Sequence, residues 1–185
     1  MELRDKTVLI TGGASGIGKI MVRLLLERKA KVIIWDINQT GIDATITDFS
    51  NLGLIVGFAT DISDPRQIQE TAKKTKLKVG HIDVLINNAG IIIGKYFHEH
   101  SSDEIAKTMD INANAPMLIT KEFLSDMLLK NKGHICNIAS SGGLISNPKM
   151  AVYVASKWSL IGWSDSLRPS LKHSCSERVP IASTA

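Results

Sequence analysis

A doubly wound α/β domain, with helices covering both faces of a parallel sheet, is the fold class the sequence predicts. Three observations predict it. Short apolar runs alternate with longer segments whose apolar residues recur every three or four positions. The runs are nearly continuous in apolar residues, as expected where both faces of a parallel sheet are covered. The glycine-rich and polar motifs fall where those runs end, which is where such sheets bind ligands.

The first strand is Thr7-Val8-Leu9-Ile10, and a glycine-rich turn follows it. Ile17, Ile20, Met21, Leu24 and Leu25 then recur with helical spacing. Val32-Ile33-Ile34-Trp35 is the second strand and ends in Asp36; a second helix is expected over 41–52. Leu54 to Phe58 reads as the third strand. Asp64-Pro65 opens a helix, a capping residue followed by proline at the first helical position.

Val84-Leu85-Ile86 is the fourth strand, leading into Asn87-Asn88-Ala89-Gly90. A long helical stretch is expected from Ser102 or Asp103 to about Lys130, bent where Asn112 to Pro116 interrupts it. His134 to Ile138 is the fifth strand. A serine- and glycine-containing loop precedes a helix from about Ala151 to Leu171, expected to end near Pro169. No repeat or linker divides the chain, so one domain over 1–185 is expected, with its core at 7–171 and an irregular tail at 172–185.

Composition narrows the function. The chain has 185 residues, 44% of them hydrophobic and 22% charged, which suits one globular domain without disulfides. Cys136 and Cys175 are unclustered, which points to a reduced compartment. A formal charge of +4 is weak evidence for nucleic acid, and none is expected as a partner. Lys73, Lys74, Lys76 and Lys78 read as the wet face of a helix end. The opening residues lack a signal-peptide pattern, and no apolar stretch is long enough to span a bilayer. A cytoplasmic protein is expected.

The turn Thr11-Gly12-Gly13-Ala14-Ser15-Gly16-Ile17-Gly18 has the composition of a pyrophosphate cradle. Glycines allow a tight turn and close backbone approach, and a helix N-terminus offers free N–H groups and a positive dipole end. Gly12, Ser15, Gly16, Ile17 and Gly18 are the candidate contacts. Gly13, Gly18 and Lys19 also fit a mononucleotide P-loop, but Ile20 stands where that motif needs a hydroxyl for Mg²⁺. Asp36 lies 18 positions after Gly18. A carboxylate there accepts bonds from a ribose diol and repels a 2′-phosphate, and the turn has no arginine. NAD(H) is therefore expected in preference to NADP(H). A turn-capping aspartate is a compatible reading.

With the remaining motifs the sequence resembles the single-domain short-chain dehydrogenase/reductase family. The matching pieces are Thr11-Gly12-x-x-x-Gly16-x-Gly18, Asp61, Asn87-Asn88-Ala89-Gly90, Asn112, Ser140 and Tyr153-x-x-x-Lys157, spanning most of the chain in the expected order. The resemblance implies a Rossmann-like fold. It also implies that Asp61 contacts the adenine amino group with Ile62 beside it, and that Asn88, Ala89 and Gly90 line the nicotinamide side. Asn87 and Asp83 are expected to stabilise the sheet instead.

The chemistry also follows from the residues. Tyr153 and Lys157, four apart on a helix, share a face. A phenol ordinarily titrates near ~10, too high for a base at neutral pH, and a neighbouring ammonium favours the phenolate. Tyr153 can then exchange a proton with an alcohol or ketone as hydride moves. The resemblance adds a bond from Lys157 to the nicotinamide ribose. Ser140, 13 residues before Tyr153, is expected to position the substrate oxygen, with Ser141 its rival. The resemblance makes Asn112, preferred over Asn114, the holder of a water that relays protons to the lysine.

No metal is expected: His98 and His100 lack companions at ligand spacing and read as surface loop. Asn38-Gln39-Thr40 matches a glycosylation signal without meaning in a cytoplasmic protein. The expected activity is hydride transfer between NAD(H) and a secondary alcohol, ketone or aldehyde, and Ile91-Ile92-Ile93 hints at an apolar one. The resemblance implies a homo-oligomer through the two long helices.

The family continues beyond the motifs found here, with a sixth strand, a Pro-Gly turn, a substrate-covering segment and a seventh strand. Arg178 to Ile181 is at most a remnant of the sixth strand, because Pro180 removes a ladder hydrogen bond. The expectation is a shortened member with an exposed sheet edge, an incomplete lid and reduced turnover. The alternatives are a non-catalytic NAD-binding or interaction module and an epimerase or dehydratase of the related extended families. Length and the placement of Ser140 speak against the last.

Overall fold

The computed structural model describes residues 2–174 and 181–184. In chain order the elements are β1 (Thr7–Thr11), α1 (Gly16–Glu27), β2 (Lys31–Asp36), α2 (Gln39–Phe49), β3 (Ile55–Ala59), α3 (Pro65–Val79), β4 (Val84–Asn87), α4 (Ser102–Met109), α5 (Ala115–Leu129), β5 (His134–Ile138), α6 (Ala151–Ser174) and β6 (Ile181–Thr184). The strands form one sheet in the order β3-β2-β1-β4-β5-β6, and every pairing is parallel. The order reverses between β1 and β4, which opens a crevice above their C-terminal ends.

Alternate strand residues face opposite layers. Val8, Ile10, Val32, Ile34, Val84 and Ile86 pack with Val22 and Leu26 of α1 and Ile42 of α2. Leu9, Ile33, Leu85 and Ile135 pack on the other face with Ile68 of α3 and Ile119 and Phe123 of α5. The centre of the sheet is therefore apolar on both sides, as the sequence runs imply. Trp35 is fully buried with its indole N–H bonded to Thr75 (3.0 Å) and its ring tilted against Phe123. Asn87 donates to Asn137 (2.8 Å), and Asp83 accepts the amide of Thr7 (2.9 Å). Both residues thus stitch the sheet, as expected.

Several expectations need correction. The long stretch begins at Ser102, one of the two expected starts, and is capped by Ser101, whose hydroxyl accepts the amide of Glu104 while Glu104 accepts that of Ser101. Its interruption is a π-helical turn over Asp110–Asn114, and Pro116 follows it in the first turn of α5. α6 does not stop near Pro169 but runs through it to Ser174. A sixth strand is present after Pro180: β6 pairs with β5 from Ile135↔Ile181 to Ile138↔Thr184. The ladder objection to Pro180 lapses because pairing begins at Ile181; Arg178 to Pro180 and Cys175 lie outside the described residues.

Among the described residues no helix is long and apolar enough to cross a membrane, and no group of metal-ligating side chains gathers.

Candidate active site

The crevice above β1, β2 and β4 holds a cleft of about 330 Å³. Its walls include Gly12, Ser15, Gly16, Ile17 and Gly18 of the turn, Asp36 at the end of β2, Asp61 and Ile62 after β3, and Asn88, Ala89 and Gly90 after β4. All the residues singled out as cofactor contacts on that side therefore meet around one space. Trp35, Ile37, Thr60, Ile91 and Ile111 also line it and were not among those candidates. Trp35 and Thr60 carried only a positional signal, each standing where a strand ends.

The turn owes its shape to missing side chains. Gly12 and Gly16 take positive φ (67° and 49°). A Cβ on Gly18 would run into the carbonyl oxygen of Gly12, so helix and turn could not approach with any side chain there. Nothing lies within 4 Å of where a Cβ on Gly16 would stand. Ser15 is the N-cap of α1, but its hydroxyl caps no N–H. The first N–H groups of α1 therefore lack the usual side-chain acceptor at the cleft wall, as an anion site requires.

Asp36 has a structural task as well. Its carboxylate accepts the amides of Ala14 and Asn38, each at 3.0 Å, clamping the glycine turn to the end of β2. Lys19 lies beside the turn in sequence but pairs with Asp48 of α2 (2.8 Å), and its ammonium lies over the ring of Phe49. The P-loop reading already fails at Ile20, and Lys19 has a partner outside the turn. Asp61 receives the amide and hydroxyl of Ser63 at 2.9 and 2.7 Å. Asn88 donates to the carbonyls of Thr11 and Gly12, and its own amide bonds the hydroxyl of Thr11. Its side chain thus holds the two strand ends together.

The four polar residues chosen for chemistry lie beyond Gly90 and do not line the cleft itself. A Cβ on Gly90 would stand 3.2 Å from Oδ1 of Asn112 and 3.6 Å from Nζ of Lys157, so that glycine joins the cleft to the polar group. Lys157 is 5% exposed, donates to the carbonyl of Ile138 at 2.8 Å and has its ammonium 5.8 Å from the centroid of the Tyr153 ring. Burial pulls its pKa below the usual lysine value. Ser140 caps the turn Ser141–Gly143, accepting the amide of Gly142 at 3.1 Å. A Cβ on Gly142 would touch both Oγ of Ser140 (3.5 Å) and the Tyr153 ring (3.2 Å), so those two side chains border the same small space. Ser141 is exposed.

Asn112 is completely buried in the π-helical turn. Its Oδ1 accepts the amide of Ile91 (2.9 Å), while its Nδ2 donates to the carbonyl of Ile91 (2.8 Å) and the hydroxyl of Ser156 (3.1 Å). Asn114 bonds Asp110 on the exposed side and takes no part. His98 stacks on Tyr96, and the side chain of His100 is buried, so the surface-loop expectation fails for His100. Ser156, which the sequence reading passed over, lies three residues beyond Tyr153 on the same helix, and that spacing was the signal available.

A family model described as short chain dehydrogenase matches residues 6–176. The chain belongs to the short-chain dehydrogenase family. It is 35% identical over 171 residues to estradiol 17-beta-dehydrogenase 11 of Macaca fascicularis, an alignment covering 92% of this chain and 57% of that protein. The chain thus spans little more than half the length of such curated relatives. Among solved structures, it is similar to a short chain dehydrogenase/reductase from Burkholderia phymatum in complex with NAD, with a TM-score of 0.94 and 28% identity over 99% of this chain and 66% of that one. A metagenomic short-chain oxidoreductase in complex with NADP matches with a TM-score of 0.91 and 28% identity, covering all of this chain and 84% of that one.

Proposed function

We propose that this chain binds NAD(H) in the glycine-lined cleft and interconverts a lipophilic secondary alcohol and its ketone. The observation that carries the reading is the junction at Gly90, where a Cβ would stand within 3.6 Å of both the buried Asn112 and Lys157, while the Lys157 ammonium lies 5.8 Å from the centre of the Tyr153 ring.

The residues present fit the dinucleotide. The uncapped N-terminus of α1 and the turn from Gly12 to Gly18 would hold the pyrophosphate. Asp36 would accept the adenosine ribose hydroxyls with the lone pairs left after bonding Ala14 and Asn38, and its charge disfavours a 2′-phosphate. Lys19 is engaged by Asp48, and exposed Ile37 follows Asp36, so this end of the cleft offers a phosphate little welcome. Asp61 with Ile62 would receive the adenine, and Asn88, Ala89 and Gly90 would border the nicotinamide. The bound nicotinamide supplies a hydride acceptor or donor.

The chain's own groups manage the proton. Tyr153 takes the hydroxyl proton of an alcohol, or returns one to a ketone, through its phenolic oxygen. Lys157 sets a positive charge beside that phenol and reaches the nicotinamide ribose. Ser140 bonds the substrate oxygen and orients it. Asn112 holds the backbone at Ile91 and supports a relay water toward Lys157. Exposed Ile92, Leu144 and Ile145 flank the loops on either side of this group and suit an apolar substrate. Self-association through α4, α5 and α6 accompanies this reading, and light scattering of the purified chain tests it.

The reading is tested by titrating NADH and NADPH into wild type and Asp36→Ala, then following reduced-nicotinamide absorbance by stopped flow with steroid and other secondary alcohols. Tighter NADH binding that is lost in the variant, together with turnover of an alcohol, is the expected result. Cofactor binding without oxidation of any alcohol would favour a binding module, and absence of binding would end both readings.

A further inference from the structure

Ser156 stands outside every role assigned above, yet it is fully buried between the residues that carry them. Its hydroxyl donates to the carbonyl of Tyr153 at 2.7 Å and accepts from Nδ2 of Asn112 at 3.1 Å. A hydroxyl has one proton. With that proton committed to Tyr153, the oxygen faces Asn112 only as an acceptor.

This agrees with the orientation that the two bonds to Ile91 give the asparagine amide, and it occupies the second proton of Nδ2. Nδ2 points at Ser156 and the carboxamide presents Oδ1 to the amide of Ile91, with Oδ1 3.2 Å from where a Cβ on Gly90 would stand. The two bonds to Ile91 then clamp the loop after β4 against the π-helical turn. Ser156 is thus the point where α6, the π-helical turn and the loop bordering the cleft are tied together.

We infer that Ser156 is a positioning residue: it sets the depth of Tyr153 and the pose of Gly90 and Ile91 relative to each other by holding Asn112 in one orientation. The inference rests on the oxidoreductase reading for its effect on rate, but not for its effect on structure. Without the hydroxyl, the second proton of Nδ2 is buried with no acceptor, and the amide can shift from its place. A displacement of about 1 Å at a reacting group can lower rates by about a hundredfold.

The test compares wild type, Ser156→Ala, Ser156→Thr, Asn112→Ala and the double variant Ser156→Ala/Asn112→Ala. Ser156→Ala should lower kcat by about tenfold to a hundredfold and leave NADH affinity within about twofold. Ser156→Thr, which keeps the hydroxyl, should recover most of the rate. In the Asn112→Ala background the serine change should add little, because both act through one amide. Amide hydrogen exchange at Ile91 should accelerate in Ser156→Ala, whether or not a substrate is turned over. Wild-type exchange at Ile91 in Ser156→Ala would overturn the inference, as would additive losses in the double variant. A wild type that binds NADH but oxidises nothing would count against the oxidoreductase reading alone, leaving the exchange measurement to decide the role of Ser156.

Discussion

Nζ of Lys157 donates a 2.8 Å hydrogen bond to the carbonyl oxygen of Ile138. The bond ties the second turn of α6 to the C-terminal end of β5 and holds an ammonium where almost no water reaches it. Burying a charge with so little around it is unfavourable, and groups kept in such positions commonly serve chemistry at the expense of stability.

Lys157→Met should therefore separate the two properties. Turnover should fall by about a hundredfold or more, while the unfolding temperature at neutral pH should stay level or rise. The pH dependence has a definite sign. Burial lowers the folded-state pKa below 10.5, so the unfolded chain binds more protons between that lowered value and 10.5. Wild-type stability should rise with pH across this window, and the methionine variant should lose that rise. Circular dichroism melts from neutral to alkaline pH measure both effects.

Tyr153→Phe removes the phenolic oxygen and keeps the ring beside Gly142. NADH binding should change little, and kcat/KM should fall by about a hundredfold to ten-thousandfold. Steady-state rates alongside a fluorescence titration of NADH check the split; equal losses in both would point to a packing role for the ring.

Two glycines of the turn should respond differently to alanine. At Gly16 the new methyl meets nothing, and the cost is that of a positive φ, about 1–2 kcal/mol. At Gly18 the methyl collides with the backbone of Gly12, so the loss should reach about 3 kcal/mol or more. Urea denaturation of both variants gives the comparison.

Asp36→Ala should lower stability as well as cofactor preference, because the carboxylate accepts two main-chain amides. A loss of about 1–3 kcal/mol is expected. Denaturation without cofactor isolates this part from the binding effect.

Burial holds the pKa of His134 below 6.5. Between its lowered value and 6.5 the unfolded chain carries more protons, so stability falls as the solution is acidified through this window. His134→Val should narrow the difference in unfolding free energy between neutral and mildly acidic solution. An unchanged difference would assign acid sensitivity elsewhere.

Much of the fold was legible because its signals are local. Continuous apolar runs such as Val32 to Trp35 announce a strand covered on both faces, and Asp64-Pro65 announces a helix start that the structure confirms with a bond to the amide of Arg66. The sequence reading misplaced what local chemistry does not dictate. Pro169 inside α6 argued for a stop, yet the helix continues through it. The interruption expected over Asn112 to Pro116 is a π-helical turn over Asp110–Asn114, with the buried amide of Asn112 tied to Ile91 and Ser156 across 21 and 44 residues of chain.

By itself the sequence determined the order of strands and helices, the place of the glycine turn, and the sharing of one helix face by Tyr153 and Lys157. These follow from backbone sterics and helical periodicity, which act over a few residues. Only the tertiary structure decided that Asp36 clamps the turn, that Lys19 turns away to Asp48, and that Gly90 brings Asn112 and Lys157 to the edge of the cleft. Those relationships depend on which strand ends lie side by side, and that proximity arises when separate stretches of chain pack into one sheet.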